Sequence, residues 1–104
     1  MILITVLEKN GSFVSLEIKG HANSAPKGED LVCSAVSAIA VGGLNSLQDP
    51  KGTYDATVES GCVRLVALKR PSQRDQIALE TIISQLESVA ESQKAYVKLE
   101  RKEP

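Results

Sequence analysis

Hydrophobic positions come in short runs, and their spacing switches between a period of two and a period near four. Met1–Glu8 (MILITVLE) is apolar on both faces, the pattern of a strand covered on both sides. Lys9-Asn10-Gly11 follows, and Asn-Gly is the strongest hairpin dipeptide. From Phe13 to Lys19 the chain alternates, with Val14, Leu16 and Ile18 on one face and Ser15 and Glu17 on the other. Residues 1–19 therefore predict a hairpin. The stretch from Gly20 to Glu29 (GHANSAPKGE) breaks the pattern with Gly, Pro, Asn and Ser, and predicts a loop. Asp30 is placed to cap a helix running from Leu31 to about Val41. Val32, Ala35, Val36, Ile39 and Gly43 share one face of it. Its other side is small and weakly polar (Ser34, Ser37, Ala38, Val41), so the helix is expected to be covered by the sheet and by a second helix. Gly42-Gly43 either ends it or permits close packing; inside a helix the two would cost about 2 kcal/mol.

Asp49-Pro50-Lys51-Gly52 is a second turn, and Tyr54–Ser60 with Cys62–Lys69 predicts a second hairpin about Ser60-Gly61. Arg70-Pro71-Ser72 stops that strand. Gln73–Gln93 is the strongest helix, with Leu79, Ile82, Ile83, Leu86, Val89 and Ala90 in one stripe. Ala95–Glu100 predicts a last strand and Arg101–Pro104 a charged tail. The expected fold is α/β of the α+β type, one domain over 1–104. Its order is ββαββαβ, a mostly antiparallel sheet with two helices packed on it.

Composition narrows the function classes. Twelve Lys and Arg against 13 Asp and Glu leave a net charge of −1, too little positive charge for a protein that coats nucleic acid. No run approaches the roughly 20 apolar residues of a membrane helix, and the apolar start is too short for a signal peptide. With aromatic content at 3%, the core must be built from Ile, Leu, Val and Ala. A domain this small buries only about two thirds of its unfolded surface, which makes self-association a natural supplement. Cys33 and Cys62 do not make a disulfide framework and read as free thiols of a cytoplasmic protein. A zinc site would need His21, Cys33, Cys62 and a carboxylate without any paired ligand spacing. Neither a metal nor another cofactor is expected.

Chemistry concentrates in residues 20–37, GHANSAPKGEDLVCSAVS, which hold the only histidine and one cysteine. With Asp30 as N-cap, Cys33 is the third helical residue, beside backbone N–H groups at the positive end of the helix dipole. Such positions favour the thiolate, the nucleophilic form of cysteine. His21, twelve positions earlier, is within reach of that helix end and is the candidate to take the thiol proton and return it to a leaving amine. Backbone N–H groups around Cys33 are candidates for an oxyanion hole. Asp30 either only caps or also orients His21, although its negative charge works against a neighbouring thiolate. Ser37, one turn after Cys33, either supports the site or packs. Cys62 opens a strand with no His or acid marked beside it and reads as structural. Lys69-Arg70 with Arg74, and Lys98 with Arg101 and Lys102, read as solvated basic clusters.

The same segment resembles the signature of the ribosomal-processing cysteine proteases, the Prp family. The resemblance rests on Gly20-His21-Ala22, Gly28-Glu29-Asp30 and Val32-Cys33-Ser34-Ala35-Val36-Ser37, and more loosely on the length and element order of nearly the whole chain. Ser34 stands where Ala is common. The resemblance implies a small cysteine endopeptidase, a homodimer of the bacterial cytoplasm. It places the catalytic dyad on His21 and Cys33, supporting roles on Asp30 and Ser37, and a substrate loop around Gly20, Ala22 and Gly28. Its implied substrate is the N-terminal extension of large-subunit ribosomal protein number twenty-seven, cut after an aromatic pair. No direct nucleic-acid or membrane partner is implied. From the residues alone two other classes stay open: a non-catalytic ribosome-associated binding module with an inert, buried Cys33, and a redox-sensing thiol protein.

Overall fold

A computed structural model of the protein describes residues 1–22 and 30–104. Gly28, and most of the 20–29 loop expected from sequence, lie outside the described residues. The elements are β1 (Ile2–Lys9), β2 (Ser12–Lys19), α1 (Leu31–Leu44), β3 (Tyr54–Glu59), β4 (Cys62–Ala67), α2 (Gln73–Ser92) and β5 (Val97–Lys102), in the predicted order. The strands form one mixed sheet ordered β3-β4-β2-β1-β5, in which only β1 and β5 run parallel. Helix α2 carries the chain from β4 across the sheet to the far edge. Both helices contribute to a core of Ile2, Ile4, Val6, Leu16, Ile18 and Leu65 from the sheet, with Val36 and Ala40 from α1 and Leu79, Ile83 and Leu86 from α2.

Four local readings change. β1 is apolar on both sides, yet helices cover only one: Leu3 is 50% exposed on a face it shares with Lys19, Lys98 and the Glu17–Arg64 pair. In β2, Phe13 rather than Val14 joins Leu16 and Ile18 in the core. The register explains it. Leu7 faces Ser15 and Glu8 faces Phe13, so Val14 is the extra residue of a β-bulge and the alternation flips there. α1 continues through both glycines to Leu44. A Cβ at Gly43 would lie 2.6 Å from Ile82 Cγ1, so that glycine lets the two helices pack closely. Finally, Arg101 is not in a free tail. It lies in β5 opposite Val6, and its guanidinium pairs with Glu8 (2.8 Å), Glu80 (2.9 Å) and Glu87 (3.0 Å); Glu8 and Glu80 push its pKa up. Of the basic residues read as solvated, Arg101 and Arg74 (which donates to the Ser46 carbonyl at 2.7 Å) are already committed to the fold.

Asp75, in the first turn of α2, is fully buried and ties the α1–β3 connection to the helix. Its carboxylate accepts the N–H groups of Gln48 (3.0 Å) and Asp49 (3.1 Å), the Tyr54 hydroxyl (2.7 Å) and Arg74 (3.4 Å). Burial works to raise its pKa, but these donors outweigh it and hold the carboxyl below its ordinary value. Tyr54 moves the other way, pushed up by burial and by the carboxylate it donates to. No helix among the described residues is long and apolar enough to cross a membrane.

Candidate functional site

Asp30 caps α1 as its position predicts. Its backbone is extended (φ −80, ψ 96) and Oδ1 accepts the Cys33 N–H at 3.0 Å. Its carbonyl accepts the Ser34 N–H at 3.1 Å. These two bonds lock the first turn and place Cys33 as the third helical residue. They also alter the expected oxyanion arrangement, because the N–H groups of Cys33 and Ser34 are already occupied by Asp30. The donor on the sulfur is instead the Ala22 N–H, 3.2 Å from Sγ. Ala22 itself is buried in the core at 4% exposure, so it meets the site with its backbone while its methyl faces the interior.

His21 follows the end of β2 and is exposed. Its backbone is held on two sides: its carbonyl accepts the Met1 amino group at 2.7 Å, and the Gly20 N–H donates to the Gly61 carbonyl at 2.9 Å. Gly20 has φ +97, and any Cβ there would run into the Met1 carbonyl oxygen. Glycine is therefore required at Gly20 for both conformation and space.

These residues border one cleft of about 190 Å³. Gly20, His21, Cys33 and Ser37 line it, above an apolar floor of Ile2, Ile18, Val36, Ala40 and Val63. The remaining wall is the β3–β4 turn from Glu59 to Cys62. The sequence-derived set thus divides. His21, Cys33, Ser37 and Gly20 share the cleft; Asp30 and Ala22 act beneath it through the cap and the sulfur contact; Gly28 lies outside the described residues. Among the described residues, no hydrogen bond joins the imidazole to Sγ. Catalytic hydrogen bonds are commonly long without substrate and tighten when it binds. Chemically, the cleft offers a sulfur nucleophile at a helix start, an N–H donor beside it, an imidazole along the rim and an apolar floor for an uncharged side chain.

Sequence reading missed the β3–β4 turn as part of the site. Ser60-Gly61 was legible as a hairpin turn, but its place beside His21 follows from the pairing of Lys19 with Cys62, a contact between distant parts of the chain. Cys62 faces Glu59 across the β3–β4 hairpin, and the β2–β4 pairing brings both into the cleft wall.

Known proteins resemble the chain over most of its length. The family model described as cysteine protease Prp matches residues 1–98. The ribosomal processing cysteine protease Prp of Mycoplasma pneumoniae is 36% identical over 105 residues, covering 96% of this chain and 94% of that protein. The protein of the same name from Mycoplasma genitalium is 37% identical over 79 residues, covering 74% of this chain and 77% of its own. Among solved structures, the essential ribosomal processing protease Prp from S. aureus, with a covalently linked product peptide, superposes with a TM-score of 0.85. It shares 22% identity and covers 98% of this chain and 100% of that one. A likeness at that identity carries the fold.

Proposed function

Since the chain belongs to the cysteine protease Prp family, we propose that it removes the N-terminal extension of large-subunit ribosomal protein number twenty-seven by thiolate attack, with Cys33 as nucleophile and His21 as general base. The observation that carries this reading is the single cleft shared by His21 and Cys33, with Sγ at a capped helix start and the Ala22 N–H directed at it. Cys33 Sγ gives its proton to the imidazole and attacks the scissile carbonyl carbon. The resulting oxyanion is stabilised by backbone N–H groups, of which Ala22 offers the donor already at the sulfur. The imidazolium then protonates the leaving amine, and a thioester remains on Cys33. Water, deprotonated by His21, hydrolyses the thioester and restores the thiol.

Asp30 supports the reaction by fixing the turn that carries Cys33, and Ser37 borders the cleft one turn further on. The 20–29 loop, with Gly20, Ala22 and Gly28, meets the substrate. The apolar floor suits the aromatic pair that precedes the cut. We place the reaction in the bacterial cytoplasm and take the working form as a homodimer. An inert cysteine module fits less well, because Cys33 is only partly buried and lines an open cleft.

The test mixes the purified protein, or its Cys33→Ala variant, with the same organism's ribosomal protein and reads intact mass. A single cut after the extension, seen only with Cys33, is the expected result. Cleavage that survives Cys33→Ala overturns the mechanism. A Cys33 that alkylates quickly but supports no cut sends the search to another substrate or to redox chemistry at that thiol.

A further inference from the structure

The β3–β4 turn faces the His21 ring at Gly61. Gly61 has φ +74, and a Cβ built on it would lie 2.7 Å from His21 Nε2, 3.3 Å from Cε1 and 3.5 Å from Cδ2. A real side chain does not approach that closely, so the imidazole occupies the space that a Cβ at residue 61 would need. The seat is firm. The Gly20 N–H donates to the Gly61 carbonyl at 2.9 Å, one residue before His21, and the β2–β4 pairing ends there with Lys19 opposite Cys62. Turn and histidine backbone therefore form one unit, and what remains free is the rotation of the ring.

Backbone conformation alone does not account for this glycine's place. Gly11 and Gly52 also sit in turns with positive φ (+76 and +98), and a Cβ on either would meet nothing within 4 Å. The three turns share the conformational demand; of the three, only Gly61 has its Cβ space filled by an imidazole. We infer that Gly61 is a positioning residue for His21: the missing side chain at that turn seats the imidazole against the backbone and so sets where the ring stands relative to Cys33. This rests on the reading of His21 as the base.

Gly52 supplies the internal control. The full chain is prepared as wild type, Gly61→Ala, Gly61→Asn, Gly52→Ala, Gly52→Asn and His21→Ala. Asn tolerates the left-handed backbone, so Gly61→Asn keeps the question open to measurement if Gly61→Ala does not fold. Two readouts are taken. One is kcat and KM on a peptide spanning the ribosomal protein's N-terminal extension. The other is the rate of Cys33 alkylation by iodoacetamide across pH, which needs no substrate. Both Gly61 variants are expected to lose about tenfold or more in kcat with little change in KM. The pH dependence of their alkylation should move toward that of His21→Ala, while the Gly52 variants stay with wild type in both readouts. Gly61 variants that track the Gly52 variants, or that raise KM alone, overturn the inference. Full turnover by His21→Ala overturns the dyad and this inference with it. An inactive His21→Ala beside active Gly61 variants overturns this inference only.

Discussion

The two helices begin alike and use their first turns for opposite ends. α1 is capped by Asp30 and α2 by Ser72, and each cap side chain accepts the N–H of the third helical residue, Cys33 at 3.0 Å and Asp75 at 3.2 Å. Cys33 and Asp75 therefore occupy equivalent places at the positive ends of their helices. Asp75 is 0% exposed and collects four further donors, so its side chain is wholly engaged in holding the α1–β3 connection. Cys33 is half-buried, receives the Ala22 N–H as its one donor among the described residues and opens onto a cleft with an imidazole on its rim. A helix start does not determine the use of the residue it presents. How many donors the surrounding chain brings to that side chain does.

The largest expected effect is at the open side of this comparison. Cys33→Ala should reduce turnover by more than about a thousandfold and leave the thermal midpoint nearly unchanged, read by product mass and by a melt. Asp75→Ala should do the reverse. It leaves the Gln48 and Asp49 N–H groups and the Tyr54 hydroxyl without their acceptor, at about 3 kcal/mol, or roughly 15 °C in midpoint. Comparable turnover loss without unfolding would break the division of labour.

Acid should expose the same contrast. The folded-state pKa of Asp75 is depressed, so its contribution to stability is complete well above its ordinary value of 3.8 and is lost as pH falls below that value. Denaturant melts of wild type and Asp75→Asn should therefore differ most at neutral pH and converge in acid. A gap that does not narrow would show that the carboxylate's charge is not what holds the turn.

Smaller effects sharpen the comparison. Asp30→Ala and Ser72→Ala should each cost about 1 kcal/mol as lost caps. Only Asp30→Ala should also slow turnover, because it alone holds the turn that bears the nucleophile; equal activity in the two variants would confine Asp30 to stability. Smallest of all, Gly42→Ala should stabilise by about 0.5–1 kcal/mol, since its Cβ would meet nothing within 4 Å. Its neighbour Gly43→Ala should destabilise by about 1 kcal/mol or more against Ile82. Urea midpoints of the pair measure how tightly α1 leans on α2.

Much of this was determined by the sequence itself. The Asn-Gly turn, the apolar stripe of α2 and the Asp30 cap, with Cys33 at the third helical position, are set by interactions within a few residues. The pattern that dictates them is therefore local and legible. The Gly20-His21-Ala22 and Val32-Cys33 segments named the two residues that the cleft brings together. Tertiary structure decided what depends on register and on partners far along the chain. The bulge at Val14 put Phe13 in the core in place of Val14. Packing of both helices on one face left Leu3 exposed, although β1 is apolar on both sides. Asp75 looks like any first-turn acid until residues 48, 49 and 54 close over it. Gly61 reaches His21 only because β4 pairs with β2. Strand pairing joins backbone groups that are alike at every residue, so a single sequence shows which segments form strands but not which strands become neighbours.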